Sequence, residues 1–300
     1  MQNLIIYLIL KLLAVMPLPL ARGIGALMGL LCWQLKTQSA RITLINLSHC
    51  FPEMATVQRK KLARNSMREW GKSLLEIPVV WGHPTGWLMG KIVGIENVEL
   101  FETYKTADRG LTVIAPHLGN WEVVGLYCST RGEITSLFAP TESQALNRQI
   151  RNSREQAGAK LVPTDSRGVA ALLKALKNQR MAGILPDQVP ARESGEYAPF
   201  FGRSALTMTL IHRLINRSGA KAIFCYAKRV PRGFTLVFKE PPPALYSDKC
   251  QESLAALNRG VEECVRDIPE QYQWEYKRFR RQPQGAADIY KAKAAAESVS

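Results

Sequence analysis

Apolar residues fill the first part of the chain almost without relief. Residues 4–10 are wholly apolar, Lys11 interrupts, 12–21 resume with Pro17 and Pro19 inside, and 23–35 continue after Arg22. Residues 41–80 then read as helical, with Met67, Trp70, Leu74 and Leu75 forming an apolar stripe behind the basic run of 58–64. From residue 91 the period changes. Short apolar runs at 111–115, 135–139, 159–162, 181–185, 221–226 and 235–239 predict strands. Between and after them, 121–129, 142–156, 167–178, 205–216 and 250–267 predict helices. The alternation implies an α/β protein: a mixed β-sheet flanked by helices, with an N-terminal membrane-associated helical segment. Three parts follow: an anchor over 1–35, a catalytic domain over 36–283, and a flexible tail over 284–300 that is rich in Ala, Lys and Ser.

The anchor expectation rests on apolar length. A clean helical span needs about 20 apolar residues, and this segment has them, broken by two prolines and two charges. A kinked span, an interfacial helix and a buried pair of core helices all fit. Lys36 and Arg41 just beyond favour a cytoplasmic C-terminal side. Gly25 and Gly29 form a G-x-x-x-G, a spacing that arises by chance more often than as a dimer face.

The stretch with most chemistry is Ala115-Pro116-His117-Leu118-Gly119-Asn120-Trp121-Glu122, at the hand-over from an apolar strand to a helix. Asn120 suits the N-cap position. Four residues separate His117 from Glu122, and a turn between them can fold the carboxylate back onto the imidazole. A neutral His removes a proton from an alcohol, and an oriented carboxylate fixes its tautomer and stabilises the imidazolium. No G-x-S-x-G elbow and no nearby cysteine supplies a nucleophile, so a substrate hydroxyl takes that part. Three other readings stay open: water as the nucleophile in a hydrolase, a helix-capping His beside a surface Glu, and a membrane-binding protein that is not an enzyme.

Charge narrows the partners. A formal net charge of +15 suits nucleic acid, an anionic membrane or acidic substrates. Zinc-type Cys/His spacing and RNP-like aromatic strands are missing, which disfavours nucleic acid. The six cysteines are scattered, which argues against a disulfide framework and a metal site and for a reducing cytosol. Neither a metal nor a cofactor is expected.

The HLGNWE block resembles the active-site block of the lipid A late acyltransferases, distant relatives of the glycerol-phosphate acyltransferases. Five further blocks resemble that family in its order: Arg41 with Asn46-Leu47 and Phe51-Pro52-Glu53, Gly94 to Asn97, Leu185 to Gln188, Pro199 to Gly202, and Trp274 to Phe279. The resemblance spans about residues 35–283. It implies a glycerol-phosphate-acyltransferase-like fold at the bacterial inner membrane, with its catalytic domain on the cytoplasmic side. It implies His117 as base and Glu122 as its partner, an acyl carrier protein thioester as donor, and a hydroxyl of a lipid A precursor as acceptor. A phospholipid, ornithine lipid or glycolipid acceptor is the alternative. Arg154 matches the family's Arg and is expected to hold a lipid phosphate or to support the site. Asp187 is expected to position substrate or structure near His117. Gly202 is expected to lend a backbone amide at a helix start. Many relatives carry an acidic residue where Val189 stands, which weakens any scheme needing two carboxylates in that loop. Lys277 to Arg281 pairs basic and aromatic residues suited to lipid headgroups or an acidic carrier protein.

Overall fold

The computed structural model describes residues 2–291. Four helices come first: α1 (Gln2–Ala14), α2 (Leu18–Gln34), α3 (Gln38–Cys50) and α4 (Thr56–Gly82). The chain continues through α5 (Thr85–Met89), β1 (Ile92–Glu96), α6 (Val98–Thr106), β2 (Leu111–Ile114), α7 (Trp121–Arg131), β3 (Ile134–Phe138), α8 (Gln144–Gln156), β4 (Lys160–Pro163), α9 (Ser166–Lys177) and β5 (Met181–Ile184). It ends with β6 (Gly195–Phe200), β7 (Arg203–Met208), α10 (Leu210–Ser218), β8 (Lys221–Val230), β9 (Gly233–Lys239) and α11 (Cys250–Asp267). Seven strands form one sheet in the order β1-β9-β8-β2-β5-β3-β4. Only β8 and β9 pair antiparallel, so the sheet is mixed, as expected.

Both faces of this sheet are covered, which explains why its central strands read as continuous apolar runs rather than alternating ones. Along β8, Ala222, Phe224 and Tyr226 join the core layer shared with α9, α10 and α11. Ile223, Cys225 and Ala227 join the layer shared with α7 and the end of α4.

The expected helix over 205–216 is corrected. Residues 203–208 are strand β7, paired antiparallel with β6, and helix α10 begins at Leu210. Phe201 and Gly202 both have positive φ, which makes the tight two-residue turn of a hairpin. Strand β1 was not foreseen: it is short, half-exposed, and held at the sheet edge by β9. The tail expectation changes too. Tyr290 accepts a hydrogen bond from the Phe279 N–H at 3.1 Å and donates to Asn46 Oδ1 at 2.7 Å. Residues 292–300 lie outside the described residues.

The N-terminal helices are part of the body. Gly25 and Gly29 of α2 face Gly71 and Met67 of α4 so closely that a Cβ on Gly25 would meet Gly71 O at 2.3 Å. The G-x-x-x-G therefore serves an intramolecular helix contact. Arg22, which interrupts the apolar pattern, points inward. Its Nε donates to Glu76, and its Nη1 and Nη2 donate to Val230 O at 2.6 Å and Gly233 O at 2.9 Å. Glu76 is fully buried and also accepts from Arg229 Nε at 3.0 Å. Arg229 Nη1 reaches Glu69 at 2.8 Å, and Lys72 also pairs with Glu69, so three positive charges surround two negative ones. Among the described residues no single helix is long and apolar enough to cross a membrane, although α2 and α3 pass together as a pair bent by 80°.

Burial alone would raise the Glu76 carboxyl; the Arg229 and Arg22 guanidiniums outweigh it and hold it below the usual carboxylate range. Its stabilisation is thus present above the unfolded value, about 4.3, and is lost as pH falls through the lower native value. Glu76→Gln leaves two buried guanidiniums short of a counter-charge and is expected to cost about 3–5 kcal/mol. Chemical denaturation against pH checks this. The variant should lose stability at neutral pH and show a shallower acid decline than the parent; a loss below about 1 kcal/mol would contradict the arrangement.

Candidate active site

Parallel register builds the site. Ile114 of β2 pairs with Ile184 of β5, and three residues beyond each lie His117 and Asp187. These two loops leave the C-terminal ends of neighbouring central strands, where open α/β sheets place ligands. His117 Nδ1 lies 2.7 Å from Asp187 Oδ1, and the His117 backbone N–H donates to Asp187 Oδ2 at 2.9 Å. Both side chains are buried. Burial would raise the Asp187 carboxyl, but its electrostatic pairing and hydrogen bonds with His117 hold it below the ordinary range. An ionised carboxylate only accepts, so Nδ1 is the nitrogen that carries a proton, and in the neutral ring the lone pair is on Nε2. The Gln188 side-chain amide lies 3.1 Å from that Nε2.

The turn that holds His117 is fixed by backbone contacts. Gly119 has φ +62°, and a Cβ there would meet Ala227 O at 2.0 Å. Only glycine meets both demands. The His117 carbonyl accepts from Gln273 N–H at 3.2 Å, the Gly119 N–H donates to Gln271 O at 3.0 Å, and the Asn120 N–H donates to Ala227 O at 3.0 Å.

Glu122 is not the group on the imidazole. It opens α7, and its carboxylate takes a two-pronged bond from Arg154 on α8, Nε at 3.0 Å and Nη2 at 2.6 Å. Burial pushes the Glu122 carboxyl up, and Arg154 outweighs this to hold it low. Glu122 therefore does not fold back on His117, which corrects that expectation, and of the two parts expected of Arg154 the fork on Glu122 fits support of the site rather than presentation to a phosphate. Asp187 takes the place expected of Glu122. Asn120 does stand at the N-cap of α7, but its side chain makes no cap; Nδ2 donates to Glu76 at 2.9 Å. Gly202 sits at the β6–β7 hairpin tip, not a helix start, and does not line the cavity at His117.

That cavity has a volume of about 340 Å³. Its walls are largely apolar, from Trp70, Leu74, Ile77, Pro78 and Trp81 of α4, Leu10 of α1 and Leu146 of α8. His117, Ser73, Gln271, Tyr272, Gln273 and Glu275 supply polar groups. Trp121 completes the lining, its ring tilted against His117 with centroids 4.8 Å apart. No group of metal-ligating side chains occurs among the described residues. Sequence reading missed Glu76, Gln188 and Glu275 as site groups. Gln188 and Glu275 lie inside blocks already singled out, whereas Glu76 gives itself away only as a lone acid in an apolar helix end.

A buried base aimed into an apolar slot suits transfer to or from a long-chain group, and the comparisons agree. Residues 2–281 match the family model described as bacterial lipid A biosynthesis acyltransferase. The chain is 25% identical over 289 residues to the lipid A biosynthesis lauroyltransferase of Escherichia coli (strain K12), covering 94% of this chain and 92% of that protein. It is 24% identical over 279 residues to the palmitoleoyltransferase of the same strain, covering 92% and 90%. It is 22% identical over 278 residues to the myristoyltransferase, covering 89% and 83%. The match runs nearly end to end and includes the His117 turn, the Asp187 loop and the segment of Glu275, and so the chain belongs to the bacterial lipid A biosynthesis acyltransferases.

Proposed function

We propose that this protein transfers a fatty acyl chain from an acyl carrier protein thioester to a hydroxyl of a lipid A precursor at the cytoplasmic face of the inner membrane. The observation that carries the mechanism is the His117–Asp187 pair at the mouth of an apolar cavity. His117 Nε2 removes the proton of the acceptor hydroxyl, displacing the Gln188 amide. Asp187 holds the tautomer and stabilises the imidazolium. The new alkoxide attacks the thioester carbonyl. The tetrahedral intermediate collapses with loss of thiolate, and the imidazolium returns its proton to the sulfur. The acyl chain lies in the cavity, where each methylene removed from water contributes about 0.8 kcal/mol.

Glu122 and Arg154 act as positioning residues. Their buried pair ties the first turn of α7 to α8, and so fixes Trp121 beside His117 and Leu146 across the cavity.

The membrane contact is assigned to α1 and α2. Leu10 and Leu13 of α1 face inward, while Ile5, Leu8, Ile9 and Leu12 are exposed; Leu20, Leu27, Leu31 and Leu35 continue the exposed apolar surface. Such a face suits interfacial insertion. One side of α1 lines the acyl cavity and the other meets lipid, giving the acceptor's own chains a short path to His117.

His117→Ala should abolish transfer, and Asp187→Asn should lower kcat by about 10³–10⁴-fold, the cost of a mis-set tautomer. Glu122→Gln should act chiefly through stability. Purified full-length variants assayed with dodecanoyl acyl carrier protein separate the two carboxylates; turnover by well-folded Asp187→Asn within tenfold of the parent would remove this mechanism.

Ile77→Phe should shorten the cavity. Discrimination against longer donors should steepen by up to about fourfold for each methylene excluded. A uniform loss for all chain lengths would place the acyl chain elsewhere.

Replacing Leu8, Leu12 and Leu27 together by Glu should release the protein from anionic phospholipid vesicles in a flotation assay without unfolding it, since all three side chains are exposed. Undiminished vesicle binding would move the membrane face away from α1 and α2.

A further inference from the structure

The segment after α11 presents a carboxyl whose position the mechanism above leaves unused. Gln273 N–H is bonded to the His117 carbonyl at 3.2 Å, and an isolated antiparallel bridge joins Leu118 to Tyr272. This docking carries Glu275 into the same cavity as His117, while Trp274 turns into the core. Glu275 Oε2 is buried and has no hydrogen-bond partner among the described residues. A buried polar atom without a partner is costly, and natural proteins retain few. Glu275 itself lines the cavity beside His117, so a substrate group entering there is a natural partner for its carboxyl.

The form of that carboxyl follows from its surroundings. Around it α4, α1 and α8 contribute uncharged side chains, and the other titratable groups on the cavity wall are His117 and Tyr272. Asp187 lies behind His117 and carries the charge of that pair. No arginine or lysine lines the cavity. Burial pushes the Glu275 carboxyl up to about 7, so the neutral, hydrogen-donating form is available at cellular pH.

We infer that Glu275 is a further catalytic residue: its neutral carboxyl donates a hydrogen bond to the thioester carbonyl oxygen and to the oxyanion that replaces it. The inference rests on the acyl-transfer chemistry proposed at His117. As the acceptor oxygen bonds to the carbonyl carbon, the carbonyl π pair moves onto oxygen, and the Glu275 O–H stabilises it in a water-poor site. When the C–S bond breaks, the pair returns to re-form C=O. Glu275 keeps its proton throughout; the proton that reaches sulfur is the one His117 took from the hydroxyl.

The test compares Glu275→Ala, Glu275→Gln and His117→Ala in full-length protein, with dodecanoyl acyl carrier protein and a lipid A precursor as substrates. Glu275→Ala should lower kcat by about 10²–10³-fold with little change in acceptor KM, as for loss of an oxyanion donor. Glu275→Gln keeps an N–H donor and removes the titration, so it should stay within about tenfold of the parent. The parent should lose activity as pH rises through about 7, and Glu275→Gln should lack that alkaline decline. A Gln variant as poor as the Ala variant would mean that a carboxylate is needed, and would overturn the inference. So would an Ala variant near parental activity, or losses that simply follow the denaturation midpoints. If His117→Ala is inactive while Glu275→Ala is fully active, only this inference falls; if His117→Ala turns over, the acyl-transfer mechanism itself falls.

Discussion

One fully buried carboxylate holds the N-terminal helices, the sheet and the His117 turn in a common frame. Glu76 accepts from Arg22 on α2, from Arg229 on β8 and from Asn120 in the turn after His117. Burying these charges is expensive and is offset only while all partners are in place. The geometry of the His117 turn therefore depends on helices that sequence alone assigns to a separate anchor. It also explains why Arg22 interrupts an otherwise apolar segment: its fork closes the β8–β9 turn through Val230 and Gly233 as well.

Much of this was legible in the chain. Central strands with both faces covered are largely apolar, and β2 and β5 are legible from that signature to within a residue; β3 and the edge strand β4 lie within a residue of the shorter apolar runs at 135–139 and 159–162. The strand-to-helix turn at His117 was legible because Pro116, Gly119 and Asn120 punctuate it. The carboxylate on the imidazole was not. Glu122 is close in sequence, but the start of α7 sends its side chain toward α8. Asp187 is 70 residues from His117, and only the parallel register of β2 and β5 brings the two together. A local H-x4-E spacing cannot carry such non-local information. The hairpin of β6 and β7 was misread for a related reason: Ala205, Leu206 and Thr207 fit an amphipathic helix as readily as a buried strand, and positive φ at Phe201 decides between them.

The site divides its labour by polarity. Arg154 balances the charge of Glu122, and Asp187 carries its charge behind the His117 ring rather than on the cavity wall. The polar groups on the cavity wall are those of His117, Ser73, Gln271, Tyr272, Gln273 and Glu275, and the rest of the wall is apolar. Such a lining favours a long hydrocarbon ending in a neutral carbonyl over a charged acid, and it excludes water that would otherwise compete with the acceptor hydroxyl.

The central claim is that Asp187, and not Glu122, fixes the protonation of His117. The most direct measurement is the ¹⁵N-coupled proton resonance of His117 Nδ1 in labelled full-length protein. A proton shared with an ionised carboxylate at 2.7 Å should appear far downfield. It should persist in Glu122→Gln and disappear in Asp187→Asn. A resonance that survived Asp187→Asn and vanished in Glu122→Gln would contradict the account and return the orienting role to Glu122.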